Sequence, residues 1–445
     1  LMAKIKYVIK RNGATVAFSR SRIVNAIFRA AVSVGGRDKK RAENLADQVI
    51  ATLEKECQPK QYPNVEEIQD LVEKTLIEAG HAKVAKHYIL YREERNRRRQ
   101  KQKPLSDQRS AYIPWAKMWR TLDWSVSYEL NTVQKLNQRI ENGEIKEIVA
   151  ESEAAYAEDI ASVSALLEER KDEVRLAIVA GPSSSGKTTT TNKVAHHLGK
   201  IGMQFVELNL DNYYFDLEMH PKDEFGDYDF ESPQALDIEL INQHLHQLLA
   251  GEEVLLPFYD FKTGIRHPDQ TPLRLNKGDI ILIDSLYGLY PPLTDGITDS
   301  KVRLYIEPLL QIKDDEGKYI RWTDIRLMRR MLRDQQHRAY DYEKTLTHWH
   351  YVRSSEMRNI IPNSGTADFI INSAMPYELP LYKSKLFDGF AQWVETYKDD
   401  PLRLDAFERA TRIFNLLKTI TPYPDDSIVP QDSVIREFIG GLKVS

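Results

Sequence analysis

The hydrophobic rhythm of the chain changes twice. Residues 4–18 read as two short strands around a turn, with Arg11-Asn12-Gly13 as the turn signal. The pattern then becomes helical: Ile23, Ala26, Ile27, Ala30 and Ala31 share one face, as do Leu45, Val49 and Leu53. The spacing predicts a third helix over 65–79, turning Ile68, Leu71, Val72, Thr75 and Leu76 inward, and a fourth over 82–99. A polar stretch at 101–110 reads as a linker. Residues 111–170 are helical again, with an apolar pattern through Ile148–Leu167 and three tryptophans, Trp115, Trp119 and Trp124. Those rings are expected to pack a connector between domains.

From Val174 onward, short apolar runs alternate with helical stretches. The runs are Val174–Ala180, Gln204–Leu210, Ile280–Ile283, Val302–Ile306 and Phe369–Ile371. Strands buried on both faces and separated by helices predict a parallel sheet with crossover helices. The expected fold is therefore α/β, a parallel sheet flanked by helices, preceded by a small, mainly helical domain with a β-hairpin. The expected divisions are 1–100, a helical connector at 101–170, and 171–445.

Composition narrows the class. The 445 residues carry 62 Lys+Arg, 66 Asp+Glu and 42% hydrophobic residues, an ordinary globular balance with ample length for buried cores. No apolar run is long enough to span a bilayer, and the first six residues lack the apolar core of a signal peptide. The single cysteine, Cys57, excludes a disulfide framework or a zinc ribbon and suits a reducing compartment, so a cytoplasmic protein is expected. The charge is uneven: residues 1–103 are net +11 and the remainder net −15. A basic module on an acidic body suggests a polyanion partner, either nucleotide phosphates or nucleic acid. Considered alone, the run Arg92–Lys103 reads as a solvated helix end.

The strongest motif is Gly181-Pro182-Ser183-Ser184-Ser185-Gly186-Lys187-Thr188, which follows a predicted strand and opens a predicted helix. Small residues let backbone N–H groups curl around phosphate oxygens, and the helix N-terminus adds partial positive charge. Candidate ATP-binding residues are Gly181, Ser183, Ser184, Ser185, Gly186, Lys187, Thr188 and Thr189. Lys187 reaches the terminal phosphates, and the Thr188 hydroxyl suits Mg²⁺. The second strand is expected to end at Asp211, where a carboxylate could take the proton of an attacking hydroxyl. The third ends at Asp284, a second candidate anchor for Mg²⁺ with ATP. Downstream, Arg326, Arg329, Arg330, Arg333 and Arg338 form a basic helix able to place charge over a transferring phosphoryl group. Gln335–Asp341 reads as a hinge within such a lid.

Residues 174–374 resemble the uridine kinase and phosphoribulokinase family of P-loop kinases. The matching pieces are GPSSSGKTTT, the LDNYY strand end, Tyr228–Pro233, Tyr259-Asp260-Phe261, IILID, and Arg329–Asp334. The resemblance implies that Asp211 is the general base and that Thr188 with Asp284 holds Mg²⁺. It further implies that Glu231 holds sugar hydroxyls, that Tyr214, Tyr259 and Phe261 line the acceptor pocket with Arg266 as a further substrate-binding residue, and that Arg333 and Arg338 are lid arginines. One departure stands out. Pyrimidine nucleoside kinases carry a base-reading histidine where this chain has Gly264.

The N-terminal region is similar to the ATP-cone regulatory domain of ribonucleotide reductases. The similarity rests on Val8–Gly13, Phe18, Arg22-Ile23, Val65–Glu73, Ala85, Tyr88, Tyr91 and Arg92. Asn12 stands where Asp is usual, and Arg22 where Lys is usual. Val8, Lys10, Arg11, Asn12, Gly13 and Arg22 are the candidate effector residues, with ATP or dATP as effector. The expected function is ATP-dependent phosphorylation of a hydroxyl on a small sugar-containing acceptor, a nucleoside first. A phosphosugar acceptor and a non-catalytic nucleotide switch are the alternatives. A homo-oligomer is expected, and neither a membrane nor a nucleic-acid partner is.

Overall fold

The computed structural model describes residues 5–10, 15–32, 34–36, 38–56, 62–101, 113–220, 232–297, 300–338, 342–400 and 403–443. The chain forms two compact units. One comprises residues up to Leu105 with Glu395–Arg409, and the other holds the P-loop. Among the described residues no helix is long and apolar enough to cross a membrane.

In the first unit, β1 (Tyr7–Ile9) and β2 (Thr15–Ala17) pair antiparallel, Val8 facing Val16. Four helices follow: α1 (Arg20–Val32), α2 (Lys39–Glu56), α3 (Val65–Glu78) and α4 (Ala82–Lys101). Their apolar stripes meet in one core that includes Ile23, Ile27, Leu45, Val49, Leu53, Val72 and Leu76. Helix α3 starts sharply because Asn64 and Glu67 cap each other's backbone N–H groups, at 2.9 and 3.0 Å.

The second unit is built on five parallel strands in the order β4-β7-β3-β8-β9. They are β3 (Leu176–Ala180), β4 (Phe205–Glu207), β7 (Ile280–Ser285), β8 (Lys301–Glu307) and β9 (Phe369–Asn372). Central β3 is buried along its whole length, as its unbroken apolar run requires. Because the strands are parallel, all their carboxyl ends open on one edge, where ligands of such sheets bind. An antiparallel hairpin, β5 (Val254–Asp260) and β6 (Ile265–Leu273), was not expected. Nearly all of β6 is exposed, and it carries Pro268 and Pro272, so it shows no alternating pattern.

Helices at 115–169, expected as a connector, pack within this second unit. They are α5 (Trp115–Ser127), α6 (Val133–Glu141) and α7 (Ile145–Glu169). On α7, Tyr156 bonds Thr190 at 2.6 Å, and Asp159 accepts from the Asn372 N–H at 2.9 Å while pairing with Lys117. The tryptophan expectation needs correction: Trp115 and Trp119 are 58% and 70% exposed. The buried face of α5 is the small one, Thr121 and Ser125, so Trp115 and Trp119 turn outward while Trp124 stays half-buried against Tyr128.

Candidate active site

The P-loop follows β3 directly and opens α8 (Lys187–Gly199). Its glycines are forced by space and by backbone. A Cβ on Gly181 would strike the Ile306 carbonyl, and Gly186 sits at φ +90° beside Val434. Ser184 also takes a left-handed conformation, at φ 58°. The loop is anchored from behind: Arg326 donates to Ser183 O at 3.1 Å, Arg330 to Ser183 Oγ at 3.2 Å, and Ser373 to Ser185 O at 2.5 Å. The buried hydroxyls of Ser184 and Ser185 find no hydrogen-bond partner among the described residues. They are donors in a loop shaped for an anion.

Lys187 is half-buried, with Nζ 3.4 Å from Pro182 O. Loss of water pulls its ammonium below its ordinary range, against the pull of Asp284 and Glu437. Asp284, one strand over, is pushed up, chiefly by burial, with Lys187 acting against the shift. The Thr188 hydroxyl donates to Asp284 Oδ2 at 3.3 Å, so the two oxygens expected to hold Mg²⁺ lie together. Hard oxygen donors of this kind suit that ion.

Asp211 is exposed on a 3-10 turn, Leu210–Tyr213, rather than at a strand end, because β4 stops at Glu207. The Asn209 side chain fixes the turn by accepting from the Asp211 N–H at 2.9 Å. Three predicted acceptor residues converge beyond it. Ring centroids lie 5.5 Å apart for Tyr214 and Tyr259, 5.0 Å for Tyr259 and Phe261, and 6.2 Å for Tyr214 and Phe261. Phe261 is 67% exposed and Tyr259 only 5%. Arg266 is bound to Asp237 at 2.8 Å and lies over Phe215. Glu231 lies outside the described residues, as do Tyr340, Asp341 and the side chain of Arg338.

His220 joins the aromatic cluster without having been expected there. It stacks against Tyr259 with centroids 6.4 Å apart, and its Nε2 meets Phe215 O at 2.8 Å. Gly264 explains the route: at φ +70°, its absent Cβ leaves room for Leu217, whose N–H donates to Gly264 O at 2.9 Å. The Leu217–Met219 turn then carries the chain to His220.

The basic helix α9 (Trp322–Arg338) corrects another expectation. Arg326 and Arg329 are fully buried rather than poised over phosphates. Arg326 forks onto Glu356 at 2.5 and 2.9 Å, and Arg329 onto Glu378 at 2.7 and 3.0 Å. Arg330 and Arg333 are half-buried, and Arg333 adds to the field that lowers Lys187. Nor was Glu437 expected to reach the P-loop, which lies 248 residues away in sequence. No local sequence signal links the two.

In the first unit, a pocket is lined by Val8, Phe18, Arg22, Ile23, Gln69 and Tyr88 among others. Lys10 is buried, and Arg11, Asn12 and Gly13 lie outside the described residues. Arg92, expected in a solvated run, instead ties Glu66, Asp70 and Glu73 of α3 at 2.6–2.8 Å.

Residues 6–97 match the ATP cone domain model, and residues 176–379 match the model of the phosphoribulokinase/uridine kinase family. A uridine kinase of Deinococcus deserti is 30% identical over 194 residues, which are 43% of this chain and 84% of that protein. A uridine kinase of Chloroflexus aurantiacus is 31% identical over 193 residues, 43% of this chain and 83% of that protein. A solved structure of a possible uridine kinase from Bacillus stearothermophilus shares 19% identity, over 48% of this chain and 98% of that one, with a TM-score of 0.30. With its P-loop, its sheet and relatives of this similarity, the chain belongs to the phosphoribulokinase/uridine kinase family of kinases and carries an ATP-cone domain ahead of the kinase domain.

Proposed function

We propose that the protein transfers the γ-phosphoryl group of ATP to a hydroxyl of a sugar-containing acceptor, a nucleoside before any other, under control of ATP or dATP bound at its N-terminal domain. The observation that supports this most directly is that one compact unit holds both a P-loop, after β3, and an aromatic cluster beyond β4. Lys187, Thr188 and Asp284 lie together at the first, and Tyr214, Tyr259 and Phe261 at the second. Ring faces suit a planar base, and the turn that carries Asp211 runs directly into Tyr214.

The roles follow from charge. The acceptor hydroxyl gives its proton to Asp211 as its oxygen bonds to phosphorus, and the bond to the departing ADP oxygen breaks. Lys187 and the P-loop N–H groups hold the phosphates in line and offset their charge, and Arg333 is placed to add to that field. Thr188 and Asp284 would hold Mg²⁺. That ion, when bound, neutralises phosphate charge.

The test is ATP turnover against nucleosides, deoxynucleosides and phosphosugars, with Asp211→Asn as the control. Turnover of a nucleoside, lost in Asp211→Asn, is the expected result. Turnover of a phosphosugar alone would favour the phosphoribulokinase-like reading. No acceptor-dependent turnover at all would favour a nucleotide switch. A Lys10→Ala variant, assayed for the effect of added dATP on rate, tests the regulatory half.

A further inference from the structure

The C-terminal segment 432–439 lies directly on the P-loop. Glu437 Oε2 accepts two hydrogen bonds from one residue, from the Thr189 N–H at 3.2 Å and the Thr189 hydroxyl at 2.7 Å. Val434 presses on Gly186. Asp432 pairs with Lys193, farther along α8, at 2.8 Å. Ser433 Oγ meets Tyr377 OH at 2.9 Å, and the Phe438 ring lies 5.0 Å from the Arg329 guanidinium. The segment is also self-braced, since Arg436 donates to the Asp426 and Val429 carbonyls at 2.8 and 2.7 Å.

Thr189 is the third residue of α8. Its N–H is one of the four that a helix start leaves without an intrahelical partner. Those donors, with the helix field, favour an anion, and after a P-loop the anion they meet is the nucleotide phosphate. Here a carboxylate of the chain already takes the Thr189 donors. A phosphate oxygen and a carboxylate oxygen are both pure acceptors, so one pair of donors does not serve both. Their like charges also repel in a half-buried site.

We propose that Glu437 is an internal competitor for the nucleotide seat: its carboxylate holds Thr189 in the resting protein and withdraws before ATP is seated. The proposal rests on the reading of residues 181–189 as the ATP site. It makes the apparent nucleotide affinity lower than the intrinsic one, by the fraction of molecules in which Glu437 has let go. Removing its charge should therefore tighten binding, the opposite of what loss of a binding residue does.

The experiment is a hydrogen-exchange titration of the full chain with Mg²⁺ and adenylyl imidodiphosphate, a non-hydrolysable ATP analogue. Protection is followed in peptides covering 181–190, so that nucleotide bound elsewhere is not counted. Wild type, Glu437→Gln, Glu437→Ala and Lys187→Ala are compared, with melting temperatures beside them. The expected midpoint falls about tenfold in Glu437→Gln. It falls in Glu437→Ala as well, and it rises in Lys187→Ala. Unchanged or raised midpoints in both Glu437 variants, with Lys187→Ala still impaired, would overturn the proposal and leave Glu437 as a helix cap. A Lys187→Ala midpoint equal to wild type would instead overturn the assignment of the ATP site.

Discussion

Around the P-loop, charge is buried and paired, whereas the aromatic cluster beyond β4 is closed at Tyr259 and His220 and open to water at Phe261. Behind the loop, Arg326, Arg329, Glu356 and Glu378 are almost wholly enclosed, and two of their partners are P-loop or neighbouring backbone carbonyls. At the aromatic end, Phe258 and Phe261 are more than half exposed, and the strand that carries Arg266 meets solvent on most of its length. The first arrangement fixes atoms in place, because an enclosed ion pair tolerates little displacement. The second fixes little, and leaves room for an incoming ligand to complete the packing. Phosphate chemistry is common to many acceptors and acceptor shape is not, so rigidity at one end and openness at the other match the two tasks.

The comparison can be broken in four places. The largest expected effect is kinetic: Asp211→Asn keeps the turn but removes the base, and kcat should fall by about 10²–10⁴ with nucleotide binding intact. Near-wild-type turnover would remove Asp211 from the reaction. Next comes the enclosed pair. Glu356→Ala leaves Arg326 buried without its fork, which should cost about 3–5 kcal/mol in denaturant unfolding. A loss inside the surface range of about 0.5 kcal/mol would mean that the loop's backing is softer than its burial implies.

At the open end the effect should be smaller and of another kind. Phe261→Ala should raise the acceptor KM about 2–10-fold while leaving the unfolding midpoint unchanged. A drop in stability with unaltered KM would make the cluster a piece of core. The smallest effect concerns Asp284. Its folded pKa is raised by burial, so the ionised form opposes folding at any pH above the unfolded carboxylate range. Asp284→Asn should raise Tm at neutral pH while lowering activity, and the gain should vanish as the pH falls to where unfolded aspartate is protonated. A Tm that drops at neutral pH would show that the Lys187 attraction outweighs burial.

The parts legible in the sequence are those whose causes are local. Eight consecutive residues specify the P-loop, because each small side chain there answers to its own backbone. The buried strands announce themselves as apolar runs, and β3 is enclosed along all its length. The hairpin of β5 and β6 was hidden because neither face of β6 is buried. Arg326 and Arg329 look like any solvated basic face until Glu356 and Glu378, 30 and 49 residues on, fold against them. Trp115 and Trp119 mislead for the converse reason: their size argues for burial, yet the helix packs through Thr121 and Ser125. In the aromatic cluster, Tyr214, Tyr259 and Phe261 stand in motifs visible in the sequence, but His220 depends on a turn that Gly264 makes room for.

The reach from Thr189 to Glu437 also has a meaning in time. At about 5–20 residues per second, a ribosome makes the segment that covers the P-loop roughly 12–50 s after the loop itself. During that interval the first-turn donors of α8 exist without the carboxylate that later takes them. The loop's other anchors, Arg326, Arg330 and Ser373, are also made before Glu437, so the order of synthesis completes the loop's backing before it supplies the chain's own anion.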